Sequence, residues 1–203
     1  MTTTTNSGGV DSGRVGAIDT VNLPGVGTVS RQQVLDTTGT LIGYNYFVKD
    51  STGITQYGSD EITAGTSTVT QSTRYNPGFR IPFNLTPGQT FSQSNIVATT
   101  TDFTTSPSTV STFTFSYSVT FIGFQSVTVP AGTFPNSADF KYTLSADLPG
   151  SGSFTITSES WAAPNIGTVK SHNTTVLNST TFSSNIVSDD VFLSGTVGGV
   201  TYP

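Results

Sequence analysis

Side chains able to do chemistry are few in this 203-residue chain, and carboxylates are the main ones: Asp60-Glu61, Asp102, Asp139, Asp147, Glu159 and Asp189-Asp190. Paired Asp and Glu side chains carry out glycoside hydrolysis, one donating a proton and the other acting as base or nucleophile. Glu159 is the most interesting of the set. It precedes Trp161 by two residues, so on a strand the two side chains share a face. An acid held against an indole loses hydration, its charged form is disfavoured, and it becomes a candidate proton donor. The same spacing also describes an outward acid beside a strand-end aromatic.

The other chemistry-bearing types are scarcer. His172 is the single histidine, in Ser171-His172-Asn173-Thr174, with no acid close by in sequence. A metal site needs several ligands and a Ser-His-Asp triad needs an orienting acid, so His172 is expected to be a solvated strand residue. No G-x-S-x-G elbow occurs among the many serines. Cysteine is absent, which excludes a thiol nucleophile, a zinc–thiolate centre and a disulfide scaffold. Asp189-Asp190 and Asp50-Ser51-Thr52-Gly53 are oxygen-rich but lack calcium-loop spacing, and Asx turns account for them. The sequons at Asn84, Asn173 and Asn178 matter only on a eukaryotic secretory route. The expectation is a chain with no catalytic residues, no metal and no cofactor, with a hydrolase centred on Glu159 as the alternative.

These residues must be positioned by strands. Phe113, Phe115, Tyr117, Val119 and Phe121 alternate with Thr112, Thr114, Ser116, Ser118 and Thr120. A period of two places the rings on one face and the hydroxyls on the other, as only a strand can. Phe140, Tyr142, Leu144 and Ala146 alternate with Lys141, Thr143 and Ser145 in the same way. Further strands are expected over 28–35, 41–49, 67–71, 94–101, 153–161, 168–177 and 191–200, with a helical turn allowed near Arg31–Asp36. Turn chemistry separates them at Asp50–Gly53, Thr86–Gly88, Pro149–Gly152 and Pro164–Gly167. The fold class is therefore all-β: a curved antiparallel sheet, barrel-like or half-barrel, made of successive hairpins. Residues 1–20 are expected to be a flexible polar tether in which Met1 replaces a removed leader, and 21–203 a single β domain. The Thr/Ser-rich stretch 99–112 reads as a long hairpin loop, with a boundary between two domains as the alternative.

Composition narrows the partners. Charged residues make up only 9% and the net charge is −5, while serine and threonine are about a third of the chain. So few cations argue against nucleic acid and against direct binding to anionic membranes. A hydroxyl-rich, lysine-poor surface suits an exported β protein.

Three segments carry a family resemblance: Pro82-Phe83-Asn84-Leu85-Thr86-Pro87-Gly88-Gln89-Thr90-Phe91, Val127-Thr128-Val129-Pro130-Ala131-Gly132-Thr133-Phe134, and Trp161-Ala162-Ala163-Pro164-Asn165-Ile166-Gly167-Thr168-Val169-Lys170. In this order they resemble a domain-of-unknown-function family of bacterial periplasmic proteins and lipoproteins, with the patterns P-L-x-x-G-x-x-W, V-x-V-P-A-G-x-F and A-P-G-V-G-L-V-K. The likeness runs from about Thr40 to Leu177. Asn165 stands where glycine is usual, Ala162 where an aromatic is usual, and Phe91 where tryptophan is usual. The resemblance implies an envelope-exported, curved antiparallel sheet and supplies no catalytic residues.

The expected function is thus non-enzymatic: an exported envelope protein, periplasmic or at the cell surface. It would bind an apolar ligand such as a lipid, or an envelope protein, and meet the membrane only through a lipid anchor outside this sequence. A surface adhesion or carbohydrate-binding module is the alternative, using Tyr44, Tyr46, Tyr57, Tyr75 and Trp161. Arg74, Tyr75 and Arg80, where cations and rings mix, together with Trp161, are the expected contact residues.

Overall fold

The computed structural model describes residues 2–5, 14–36, 38–148, 150, 152–179, 183–191, 195–197 and 200–202. Among them every regular element is a strand. They are β1 (Thr2–Thr5), β2 (Arg14–Leu23), β3 (Gly27–Leu35), β4 (Leu41–Asp50), β5 (Gly53–Ile62), β6 (Val69–Pro82) and β7 (Thr90–Asp102), followed by β8 (Thr109–Val129), β9 (Gly132–Leu148), β10 (Gly152–Ala163), β11 (Gly167–Asn178), β12 (Ser183–Val191), β13 (Gly195–Val197) and β14 (Val200–Tyr202). A 12-stranded sheet runs in the order β1-β12-β11-β10-β9-β8-β7-β6-β5-β4-β3-β2, and β13 pairs with β14 separately. From β2 to β12 each strand neighbours its successor in sequence, as hairpins require. β1 joins parallel to β12. The all-β antiparallel expectation holds.

Several boundaries differ from the sequence reading. Arg14–Thr20, assigned to the tether, belong to β2, while residues 6–13 lie outside the described residues. Arg31–Leu35, where a helical turn was allowed, continue β3, because alternation with β4 outweighs a short helical spacing. The loop expected over 99–112 is shorter: β7 ends at Asp102 and β8 begins at Thr109. Asp102 terminates β7 by accepting from the Thr104 backbone N–H at 2.7 Å and hydroxyl at 2.6 Å. Asp50 does the same with Thr52, at 2.7 and 2.8 Å. These are the Asx turns that the oxygen-rich Asp50–Gly53 segment led one to expect. Part of the Pro149–Gly152 turn lies outside the described residues.

The chain divides into two compact units: Met1–Ser7 with Leu85–Ser92 and Ser116–Pro203, and Gly8–Asn84 with Gln93–Phe115. In the first, Phe121 and Phe140 meet at 5.1 Å and Tyr117 stacks on Tyr142 at 6.3 Å. Tyr117, Val119 and Phe121 are buried, in the phase their alternation predicts. In the second, Tyr75 meets Phe79 at 6.2 Å and the buried Phe115 at 5.9 Å, both edge-on. Its separate cluster of Leu23, Val29 and Tyr46 follows from register. Val21 pairs with Val29, and Arg31 with Tyr46, so the odd residues of β2 and β3 share a face with the even residues of β4.

On that face Gly58 lies in register between Tyr46 and Arg74. Its φ is 151°, and a Cβ there would fall 2.1 Å from the Thr73 carbonyl oxygen and 3.1 Å from Arg74 Cδ. The missing side chain lets the Arg74 guanidinium cross to Tyr46, 4.7 Å from the ring centroid. We expect Gly58→Ala to lower unfolding free energy by about 3 kcal/mol or more, by equilibrium urea denaturation. Gly88→Ala, with φ 83° and nothing within 4 Å of its Cβ, serves as control and should cost roughly 1–2 kcal/mol from left-handed backbone alone.

Candidate functional site

Two of the motif segments fold into adjacent hairpin tips in the first unit. Pro130 and Ala131 turn the chain from β8 to β9, since proline presets φ and cannot donate to a ladder. Pro164-Asn165-Ile166 turn it from β10 to β11, with the Ile166 N–H donating to the Ala163 carbonyl at 3.2 Å. Asn165 has φ 61°, so the residue replacing the usual glycine occupies the left-handed region that Asn tolerates. Between Trp161 and Ala162 the β10–β11 register shifts, bringing Val169 into the core beside Lys170.

The tips share one apolar cluster: Val127, Val129, Ala131, Phe134, Trp161, Ala163 and Val169, with Ile166 packed against it. Beside it lies a solvent-open pocket of about 350 Å³ lined by Ala131, Gly132, Thr133, Phe134, Pro135, Ala163, Pro164 and Ile166. None of these side chains is charged. Small residues leave the space, and Phe134, Pro135, Pro164 and Ile166 wall it. The sequence reading marked Pro164–Gly167 as a turn and missed the pocket, although repeated Pro and small residues at both tips were its visible signal.

Asp139 lies at the inner margin of this cluster. Its parity is set by Asn136, whose φ of 57° lets two exposed residues intervene between buried Phe134 and buried Ser137. Asp139 is then 4% exposed and directly opposite Trp161, which is 9% exposed. The Gln125 amide donates to Asp139 Oδ2 at 2.7 Å. Asp139 Oδ1 and Trp161 Nε1 are both sealed from solvent without a hydrogen-bond partner. Burial, followed by the neighbouring Glu159 charge, pushes the Asp139 carboxyl above the ordinary carboxylate value. The indole N–H and the Gln125 amide oppose this, the indole without reaching hydrogen-bond geometry.

Glu159 is half-buried and shares the Trp161 face, as its spacing implied. Register aligns Lys141, Glu159, His172 and Asp189 in one row across β9, β10, β11 and β12. His172, expected to be simply solvated, is partnered: its Nδ1 lies 2.6 Å from Asp189 Oδ1. The acid is distant in sequence and arrives only through pairing of β11 with β12. Lys170 sits over the Trp161 ring at 4.8 Å. No group of three or more His, Cys, Asp or Glu able to hold a metal occurs among the described residues.

Within the second unit, the expected contact residues Arg74, Tyr75 and Arg80 do not assemble into one patch. Arg74 and Tyr75 are consecutive on β6 and point to opposite faces. Arg74 pairs with Asp60 at 2.7 Å, and Tyr46 donates to the other Asp60 oxygen at 2.6 Å. Arg80 is held by Asp50 at 3.0 and 3.1 Å and by Thr55 at 2.9 Å. Arg31 forms a two-point pair with Asp19 and covers Tyr44 at 4.6 Å. Each of these guanidinium groups is matched to an internal acid. Nor do the five named aromatics form an exposed platform: Tyr46 and Trp161 are buried, and Tyr44, Tyr57 and Tyr75 are half-buried. No family model, curated protein or solved structure matches the chain.

Burial alone would raise Asp60, but the Arg74 guanidinium beside it, with the Tyr46 and Ser72 hydroxyls, holds its carboxyl below the ordinary value. Burial also pushes Tyr46 up to about 12, aided by its bond to Asp60, so the phenol stays a donor. A lowered folded pKa contributes stability above the unfolded carboxylate value, lost as pH falls through the folded one. Asp60→Ala should cost about 2–3 kcal/mol near pH 7 by leaving Tyr46 and Arg74 unpaired. Urea midpoints measured down to about pH 3 should fall less steeply for the variant than for the parent chain.

Proposed function

We propose that this chain is an exported, non-catalytic binding protein of the bacterial envelope, and that the pocket between the two hairpin tips takes the apolar portion of a small ligand. The observation that carries the reading is a preformed opening of about 350 Å³ with no charged side chain in its lining. That volume lies at the lower end for ligand sites, which suits an alkyl chain or a compact hydrophobe. The two tips are also the segments that resemble the bacterial envelope family, so the likeness and the pocket coincide in sequence. Export is supported by the hydroxyl-rich, lysine-poor composition, and attachment would come from a lipid anchor outside this sequence.

The non-catalytic reading is supported by the state of the acids. Asp139 has one oxygen engaged by Gln125 and the other sealed from solvent, so neither reaches a substrate bond. Glu159 lies in register between Lys141 on β9 and His172 on β11, on strands and not beside the pocket lining.

Titration with dodecanoic acid, followed by calorimetry, tests the pocket. We expect saturable binding that weakens at least about tenfold, roughly 1.4 kcal/mol, in Ile166→Trp, which fills the space from its half-buried rim. The melting temperature should stay close to that of the parent chain. Absence of saturable binding, or equal binding by the filled variant, would remove the pocket from the account.

A further inference from the structure

The sealed, unmatched pair of Asp139 Oδ1 and Trp161 Nε1 is the least explained arrangement in the first unit. Buried polar atoms are almost always hydrogen-bonded, and an exception calls for a cause. We propose that Asp139 is a proton-binding site built into the hairpin tips, which binds its proton with the tips closed and releases it when they loosen.

The geometry gives the reason. An ionised Asp139 would be a buried negative charge with one firm donor, the Gln125 amide at 2.7 Å. The indole opposite it misses bonding geometry, and Glu159 stands on the neighbouring strand, two residues from Trp161. A protonated Asp139 removes that charge and its repulsion with Glu159 while keeping the Gln125 contact. The charged groups around it are few. Lys141 follows on β9, opposite Glu159 in register; β10 supplies Glu159 itself; β11 supplies Lys170, stacked on Trp161, and His172. His172 is occupied by Asp189 of β12. From β8 the contact is Gln125, which does not titrate. No cation pairs with Asp139 among the described residues.

Release of the proton forces water or movement into the wall shared by Trp161, Phe134 and Ala163. The sign follows from linkage. The folded carboxyl lies above its unfolded value, so stability is fully present below the unfolded value and declines as pH rises through the folded one. This is opposite to Asp60. The proton site stands independently of whether the pocket holds a ligand.

Trp161 is the sole tryptophan, so its emission reports this position alone. A pH titration of the full chain should show a one-proton change in emission with a midpoint above the ordinary carboxylate value. Asp139→Asn should abolish it, Glu159→Gln should keep it with a lower midpoint, and His172→Asn should leave it in place. A change that survives Asp139→Asn, one that vanishes with His172→Asn, or a flat parent titration overturns the proposal. If Asp139→Asn does not fold, the carbon-13 shift of the Asp139 carboxyl in the parent chain decides. A midpoint above that of a peptide aspartate supports the site; one at or below it overturns the site.

Discussion

Cross-strand register is the constraint on which the rest depends. A strand side chain changes face with every residue, so one slip of pairing exchanges the buried and exposed sets completely. In the first unit β9 uses this rule twice. Phe140, Tyr142, Leu144 and Ala146 line the ring face, whereas Phe134, Ser137 and Asp139 are buried at the hairpin tips on the opposite parity or across an irregularity. Asn136, in the left-handed region, makes the change of parity possible. Phe121 of β8 packs on Phe140 of β9, and the register of β9, β10 and β11 sets Asp139 against Trp161 and Glu159 against His172.

In the second unit register produces a polar network. Tyr46, Gly58 and Arg74 share a row, and Asp60 lies opposite Tyr44 in the next. Because Gly58 has no side chain, Arg74 leans over Tyr46 and reaches Asp60, and a buried acid becomes tolerable through two partners. The carboxyls of the two buried aspartates are shifted in opposite directions. Asp60 has a guanidinium and a phenol, while Asp139 has an amide and a nearby carboxylate. Burial is common to both; the neighbours decide in which direction each carboxyl is shifted.

Much of the architecture was legible because it is local. The Phe113–Phe121 alternation, the Asp50–Gly53 turn and the tolerance of Asn165 for positive φ all depend on neighbours within a few residues. The site was less so. Glu159 and Trp161 share a face, as their spacing required, but Asp139, merely one acid among several in the sequence, is the group whose surroundings are unusual. Its burial depends on Asn136, and its neighbours come from other strands. Likewise His172 lacks a local acid and meets Asp189, 17 residues away, through pairing. Arg74, Tyr75 and Arg80 looked like a patch because they are close in sequence; strand parity separates Arg74 from Tyr75, and each arginine finds its own aspartate.

The most direct test of this account is the pairing of β9, β10 and β11 in solution, read from interstrand nuclear Overhauser contacts. The account predicts contacts linking Asp139 with Trp161, Trp161 with Lys170, and Glu159 with both Lys141 and His172. A frame displaced by one residue, with Trp161 opposite Phe140 in place of Asp139, would contradict it.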